Sequence, residues 1–508
     1  MSDDHTQEPT RRSFIATTTA ATAGLALGGA PAFAGQGGDR EAVLAQIKGQ
    51  HDQTVRLLRE WIALPSIAAE NIGYPQGPEH MAKLAREAGF TKVEVIPTKG
   101  KAGVFATLDS GAPTTLAVYF MYDVKQYDPA EWSSPPLEGR IVDRPGLGRV
   151  MIGRGATNQK GPQMALLAAL HAFKAAGKKL PINLVLVCEG EEEIGSPNFS
   201  EVALRPDVKA ALEKSVGVII PMGSQEPDGS VTINLGAKGI VELELVSSAA
   251  KWGKGPAADL HSSLFASVDS PAWRLVKALS VLVKEDGHTP AVEGFFDKVA
   301  PLSPRLKEIL ETAIAQRDDQ TMRKGLGIQQ WYASENFHDA MVRLVTQPTI
   351  NIQGLVGGYT GPGGKTILPT RAAAKIDMRL VPDMTAKGTL QLLKDHLSKH
   401  GFGDIEVNMT GGYDPTMTPP DARLVKAMVT TYNKSNVNPM LWPRLAGSWP
   451  GVTFTGPPLN LPAGQFGMGI GGGAHAPNEF WLIDSTNPKV AGMDGVVKSF
   501  VDLFYELA

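Results

Sequence analysis

Apolar residues recur along this chain in two rhythms. From 41 to 63 they fall at helical spacing, at Val43, Leu44, Ile47, Val55, Leu57, Leu58, Trp61 and Ile62, and predict one amphipathic helix. Thr115-Leu116-Ala117-Val118-Tyr119-Phe120-Met121 is a near-continuous apolar run, short enough for a strand buried on both faces. Gly161 to Ala176 reads as a helix, and Ile182 to Cys188 as a second buried strand. Strands without a polar face need cover on both sides. Their alternation with helices therefore predicts an α/β domain, a mixed sheet between two helical layers.

The rhythm changes in the middle of the chain. Ile240-Val241-Glu242-Leu243-Glu244-Leu245-Val246 alternates apolar and charged residues, as a half-exposed antiparallel strand does. Helical spacing follows at 270–284 and 386–400, and further strands are predicted at 348–354, 371–381 and 403–410. This strand-helix-strand-strand-helix-strand order predicts an inserted ferredoxin-like α+β lid, carrying a charged helical insertion near 302–345. Residues 440–508 return to strands and a closing helix. Trp442, Trp449 and Phe466 read as core aromatics, with an apolar pocket as the alternative. The organisation is then a leader at 1–34, a first part of the α/β domain at 35–238, a lid at 239–420 and a second part at 421–508.

Composition narrows the function. With 508 residues the chain has room for two or three domains, and 43% hydrophobic against 20% charged residues is a globular balance. A net charge of -3 without a basic cluster gives no footprint for nucleic acid. The single cysteine, Cys188, excludes an internal disulfide. Thr10-Arg11-Arg12-Ser13-Phe14-Ile15 is a twin-arginine pattern. A small-residue apolar run from Ala16 to about Ala30 follows, and Ala32-Phe33-Ala34 offers a cleavage site before Gly35. These features predict export to the periplasm or beyond. No later run reaches the ~18 apolar residues of a membrane span.

The sharpest chemical signal is Glu189-Gly190-Glu191-Glu192-Glu193-Ile194-Gly195-Ser196, directly after a buried strand. Ligands of open α/β sheets sit at strand ends, where carboxylates bind cations or move protons. A second signal, Gly153-Arg154-Gly155-Ala156-Thr157-Asn158-Gln159-Lys160-Gly161-Pro162, precedes a helix. A third, Met121-Tyr122-Asp123-Val124, ends the first buried strand. Further on come Asp259-Leu260-His261-Ser262, Pro362 to Arg371, Ala446-Gly447-Ser448-Trp449-Pro450 and Ala474-His475-Ala476-Pro477-Asn478-Glu479.

In order and spacing these seven stretches resemble the carnosinase-type dipeptidase and aminoacylase family of zinc metallopeptidases. The resemblance implies a two-zinc amidohydrolase with a lid that also dimerises. Its residue-by-residue transfer is uneven. The His of the family's H-x-D falls on Met121, the bridging Asp on Asn158, and the third carboxylate of the first site on Met222. The second site keeps Glu193 and His475. Asp123, which in the family orients the first-site His, survives.

Zinc is held by His, Cys and carboxylate, and thioethers or a neutral amide serve it badly. The expectation is at most one zinc or other divalent ion, on Glu193, His475 and Asn158, or none. A cuprous site of Met121, Met222 and His475 is a further alternative, since thioethers suit soft metals.

Under the resemblance Glu192 is the general base. His261 stabilises the oxyanion, in the family from the partner subunit, and Arg371, Gly447 and Ser448 hold a substrate carboxylate. The expected function is an exported hydrolase of amide or peptide-like bonds. The alternatives are a metal-independent hydrolase of an unusual amide and a binding protein without turnover. A small molecule or short peptide is the expected substrate, and a homodimer the expected assembly.

Overall fold

The computed structural model describes residues 34–508, so the twin-arginine pattern and the apolar run after it lie outside the described residues. A six-stranded sheet forms the base, in the spatial order Lys92–Ile96, Gly103–Leu108, Asn183–Glu189, Thr115–Met121, Ser215–Pro221, Ala463–Phe466. The first two pairs in this order are antiparallel and the remaining three are parallel, which makes the sheet mixed.

Both predicted apolar runs sit at its centre, and their alternating side chains feed two cores, as the period of a strand demands. Leu116, Val118, Phe120, Leu184 and Leu186 pack under the helix Gly161–Ala175, while Ala117, Tyr119, Val185 and Val187 pack against Phe199, Val202 and Phe454. Met121 pairs with Glu189, so the two chemical motifs emerge side by side at the carboxyl ends of two central strands.

The predicted helix over 41–63 is instead two helices, Ala34–Ile47 and His51–Ile62, joined by a single 3₁₀ turn at Lys48–Gln50. Gly49 sits in that turn. A glycine costs a helix interior about 1 kcal/mol relative to alanine, which locates the break.

The lid sheet has the order Thr349–Gly357, Arg371–Leu380, Gly239–Ser248, Glu406–Tyr413, all antiparallel. Helices Pro271–Ser280 and Ala386–Lys399 cover one face, and Val241, Leu243 and Leu245 point into that core. Chain order and spatial order together are those of a ferredoxin-like fold.

The charged insertion forms helices Pro304–Ala315, Asp319–Leu326 and Phe337–Thr346. Its apolar side packs around buried Trp442, over which the Arg317 guanidinium stacks at 4.3 Å. Trp442 and Phe466 are therefore core residues, and Trp449 lies half-buried beside Tyr119. Among the described residues no helix is long and apolar enough to cross a membrane.

Candidate active site

A small second sheet brings the glycine-rich turn to the late histidine. Strand Gly148–Ile152 pairs with Phe480–Ser485, so Gly153 N–H donates to the Glu479 carbonyl at 2.9 Å. The Glu479 side chain, fully buried, then organises the turn. Its Oε2 accepts from Arg154 Nη1 at 2.8 Å and Gly155 N at 3.0 Å, and its Oε1 from Thr157 N at 2.9 Å and Asn158 N at 2.8 Å. Lys160, also buried, donates to the Trp61 and Leu64 carbonyls at 2.8 and 2.9 Å. Burial lowers its pKa to about 7.

The acidic cluster does not continue as a strand. The chain leaves the sheet at Glu189 and makes one 3₁₀ turn at Glu192–Ile194, closed by Gly195 at φ +92°. This bend lets neighbouring Glu192 and Glu193 serve one site, whereas strand neighbours would face opposite ways. Gly190 is required where the turn begins, because a Cβ there would lie 2.1 Å from the Tyr122 ring. Asp123 holds the turn from below by accepting from Glu192 N at 3.3 Å and Glu193 N at 3.0 Å.

Four of the five carboxyls here have partners. Asp123 takes those two backbone donors, and Glu191 accepts from Asn198 at 2.8 Å. Glu189 accepts from Tyr119 Oη at 2.7 Å and Ser196 Oγ at 2.8 Å. Glu193 Oε1 accepts from Asn158 Nδ2 at 2.7 Å, and its Oε2 lies 3.1 Å from His475 Nε2. The Glu192 carboxyl alone has no hydrogen-bond partner among the described residues. Desolvation and then the nearby charges of Glu193, Asp123 and Glu189 push its pKa well up, against a smaller opposing pull from Lys125. Burial and Glu193 push Asp123 to about 8, and burial and Asp123 push Glu189 to about 8.

His475 is exposed and held at φ +64°, a conformation non-glycine residues adopt at a cost, often at functional sites. Asn158 Nδ2 lies 3.1 Å from its Nε2, so the amide stands between the two surviving ligand candidates. Met121 is buried, and Met222 Sδ accepts from Gln159 Nε2 at 2.9 Å. Where the acidic turn ends at Gly195 and Ser196 lies a cleft of about 440 Å³ shared with the lid, lined also by Lys387, Tyr413, Pro450 and Val452; none of the candidate catalytic or ligating side chains lines it. Burial and the Glu192 charge push the Tyr413 phenol up. A larger cavity of about 1050 Å³, lined by Leu306, Val425 and Leu441, holds none of the candidate side chains.

The model of peptidase family M20/M25/M40 matches residues 119–498. The chain belongs to this family. The Cys-Gly metallodipeptidase of Schizosaccharomyces pombe is 27% identical over 374 residues, 70% of this chain and 74% of that protein. The human beta-Ala-His dipeptidase is 27% identical over 410 residues, 74% and 75% of the two chains. Among solved structures, an M20 family metallo-carboxypeptidase from Sulfolobus solfataricus superposes with a TM-score of 0.76 at 31% identity, covering 89% of this chain and 99% of that one. The chain is accordingly a peptidase-like hydrolase of mixed α/β fold with a lid.

The structure gathers Asp123, Glu192, Glu193, Asn158 and His475 in one cluster, with Met121 pairing Glu189 and Met222 bonded to Gln159. It does not gather the rest. His261 is exposed on the lid, its ring nitrogens 2.8 Å from Ser263 Oγ and 2.9 Å from Thr366 Oγ1. Arg371 lies 3.6 Å from Glu244 on the outer face of the lid sheet. Ser448 Oγ accepts from Arg379 Nη1 at 3.1 Å, and Gly447 lies half-buried beside it. Glu479 and Tyr119 carry structural roles that sequence reasoning missed. Glu479 ends a recognised motif, but nothing local shows its partners more than 320 residues away.

Members named metallodipeptidases imply metal, so the donors matter. The donors that meet here are the Glu193 carboxylate, the His475 imidazole and the Asn158 amide. Among the described residues the His, Cys, Asp and Glu side chains that converge as three ligands are Glu293, His396 and His400, on the lid. There Lys399 already pairs with Glu293 at 2.6 Å, and His396 Nε2 lies 2.8 Å from the Val281 carbonyl.

Proposed function

We propose that this M20 chain is an exported hydrolase of amide or peptide-like bonds, of the dipeptide or N-acyl amino acid class, with Glu192 as its general base and the first metal position given up. One observation carries the reading. Of five clustered carboxyls, Glu192 is the one left without a hydrogen-bond partner among the described residues, half-buried, with its proton affinity raised by burial and by its carboxylate neighbours. In its ionised form such a group is a stronger base than an ordinary carboxylate and takes a proton from water as the water attacks a carbonyl carbon. It returns that proton to the departing amine. The names of the relatives, two dipeptidases and a carboxypeptidase, support the substrate class.

Met121 and Met222 fill the first metal position with adaptable apolar side chains. Glu193, His475 and Asn158 then hold at most one divalent ion, and no proton transfer above depends on it. The twin-arginine pattern supports export to the periplasm or outside. Lid strand Thr349–Gly357 exposes Ile352, Leu355 and Val356 along a free edge, which supports a homodimer through the lid.

Turnover on a panel of dipeptides and N-acyl amino acids tests the reading. Glu192→Gln is expected to lose about 10²–10⁴ in kcat at nearly unchanged KM. Equal turnover by both proteins would sink it.

A further inference from the structure

We propose that the Lys125 ammonium replaces a divalent cation in this site, fixing Glu193 and donating to the substrate carbonyl oxygen as it becomes an alkoxide. The inference deepens the hydrolase reading and rests on it for the catalytic half alone.

Lys125 stands two residues past Asp123, at a position the seven-motif pattern leaves open. Its Nζ donates to the Glu193 carbonyl at 2.7 Å and lies 3.7 Å from Glu193 Oε2. The side chain is 38% exposed, so the charge stands at the mouth of the site rather than in bulk water. An ammonium has three donors and the carbonyl uses one. Two remain for Glu193 and a ligand.

The charge balance points the same way. Asp123, Glu189, Glu191, Glu192 and Glu193 crowd one strand end. The basic side chains within ion-pair reach of Glu193 are Lys125 and His475. Lys125 is also the group that opposes the pKa rise of Glu192. A bound divalent cation would supply this compensation. Here thioethers at 121 and 222 cannot, and an amide at 158 adds no charge.

The step balances without a co-reactant. Glu192 removes one proton from water, and the oxygen bonds to the carbonyl carbon. The π electrons move to the carbonyl oxygen, where Lys125 donates a hydrogen bond and stays protonated. Collapse breaks the C–N bond, and the amine leaves with the proton from Glu192.

A lysine in this role must also exclude metal from Glu193, which gives a readout independent of turnover. Zinc alone is titrated calorimetrically into wild type, Lys125→Met and Lys125→Arg, with circular dichroism as the folding control. Lys125→Met is expected to bind zinc at least about 10-fold more tightly than wild type, the scale on which neighbours tune metal affinity. The same variant is expected to lose about 10²–10³ in kcat, as enzymes do on losing one oxyanion donor, while Lys125→Arg keeps the weak zinc binding of wild type. Unchanged zinc affinity in Lys125→Met would overturn the proposal, as would unchanged kcat in an active enzyme. A wild type inactive on every substrate removes the hydrolase reading, and the zinc titration still decides whether Lys125 stands in for a cation.

Discussion

Glu479 offers the sharpest test of how the site is built. It is a buried carboxylate with four donors, one from buried Arg154 and three from the turn that carries Asn158. Burial alone pushes its pKa up, and these donors pull against that rise. Glu479→Ala deletes all four bonds and strands the Arg154 guanidinium, which is 2% exposed. Breaking a buried ion pair from one side costs about 3–5 kcal/mol. At about 2 °C per kcal/mol or less for a unit of this size, the melting point should fall by about 5–10 °C. Urea unfolding measures the loss. The double variant with Arg154→Met should recover part of it, because the orphaned charge is gone. A loss under about 1 kcal/mol for Glu479→Ala, or strict additivity in the double variant, would refute the assignment of Glu479 as organiser of the turn.

Two further outcomes follow from the same structure. Glu189 ionises near 4.5 in the unfolded chain and near 8 when folded, so between those values only the unfolded state releases its proton. Stability should therefore fall as pH rises through this window, by up to about 1.4 kcal/mol per unit. Glu189→Gln should flatten the slope, and urea midpoints across the window with equal slopes for both proteins would exclude the effect. Trp442→Ala should cost about 3–5 kcal/mol, since it empties the centre of the contact between the helical insertion and the strand Met440–Trp442. Limited proteolysis should then cut first within 302–346.

The sequence made the sheet and lid legible because their patterns are local. Buried parallel strands are apolar throughout, as at 115–121, and the half-exposed lid strand at 240–246 alternates. The acidic turn was legible as a strand ending in charge. What escaped was long-range or a single-residue effect. Gly49 breaks a helix that periodicity alone continues. The docking of the insertion on Trp442 joins segments over a hundred residues apart. Glu479 and Lys125 act through contacts that no spacing reveals, and Lys125 lies where the family pattern is silent. His261 and Arg371 carry strong motif contexts, yet the chain holds both on its lid, paired there with other lid residues.

The central claim is that the first metal position is gone, and metal stoichiometry tests it most directly. Purified protein, analysed by mass spectrometry for bound metals and assayed for dipeptide turnover before and after chelation, should carry at most one divalent ion per chain and keep its turnover when that ion is removed. Two zinc ions per chain, with turnover abolished by chelation and restored by zinc, would contradict the account.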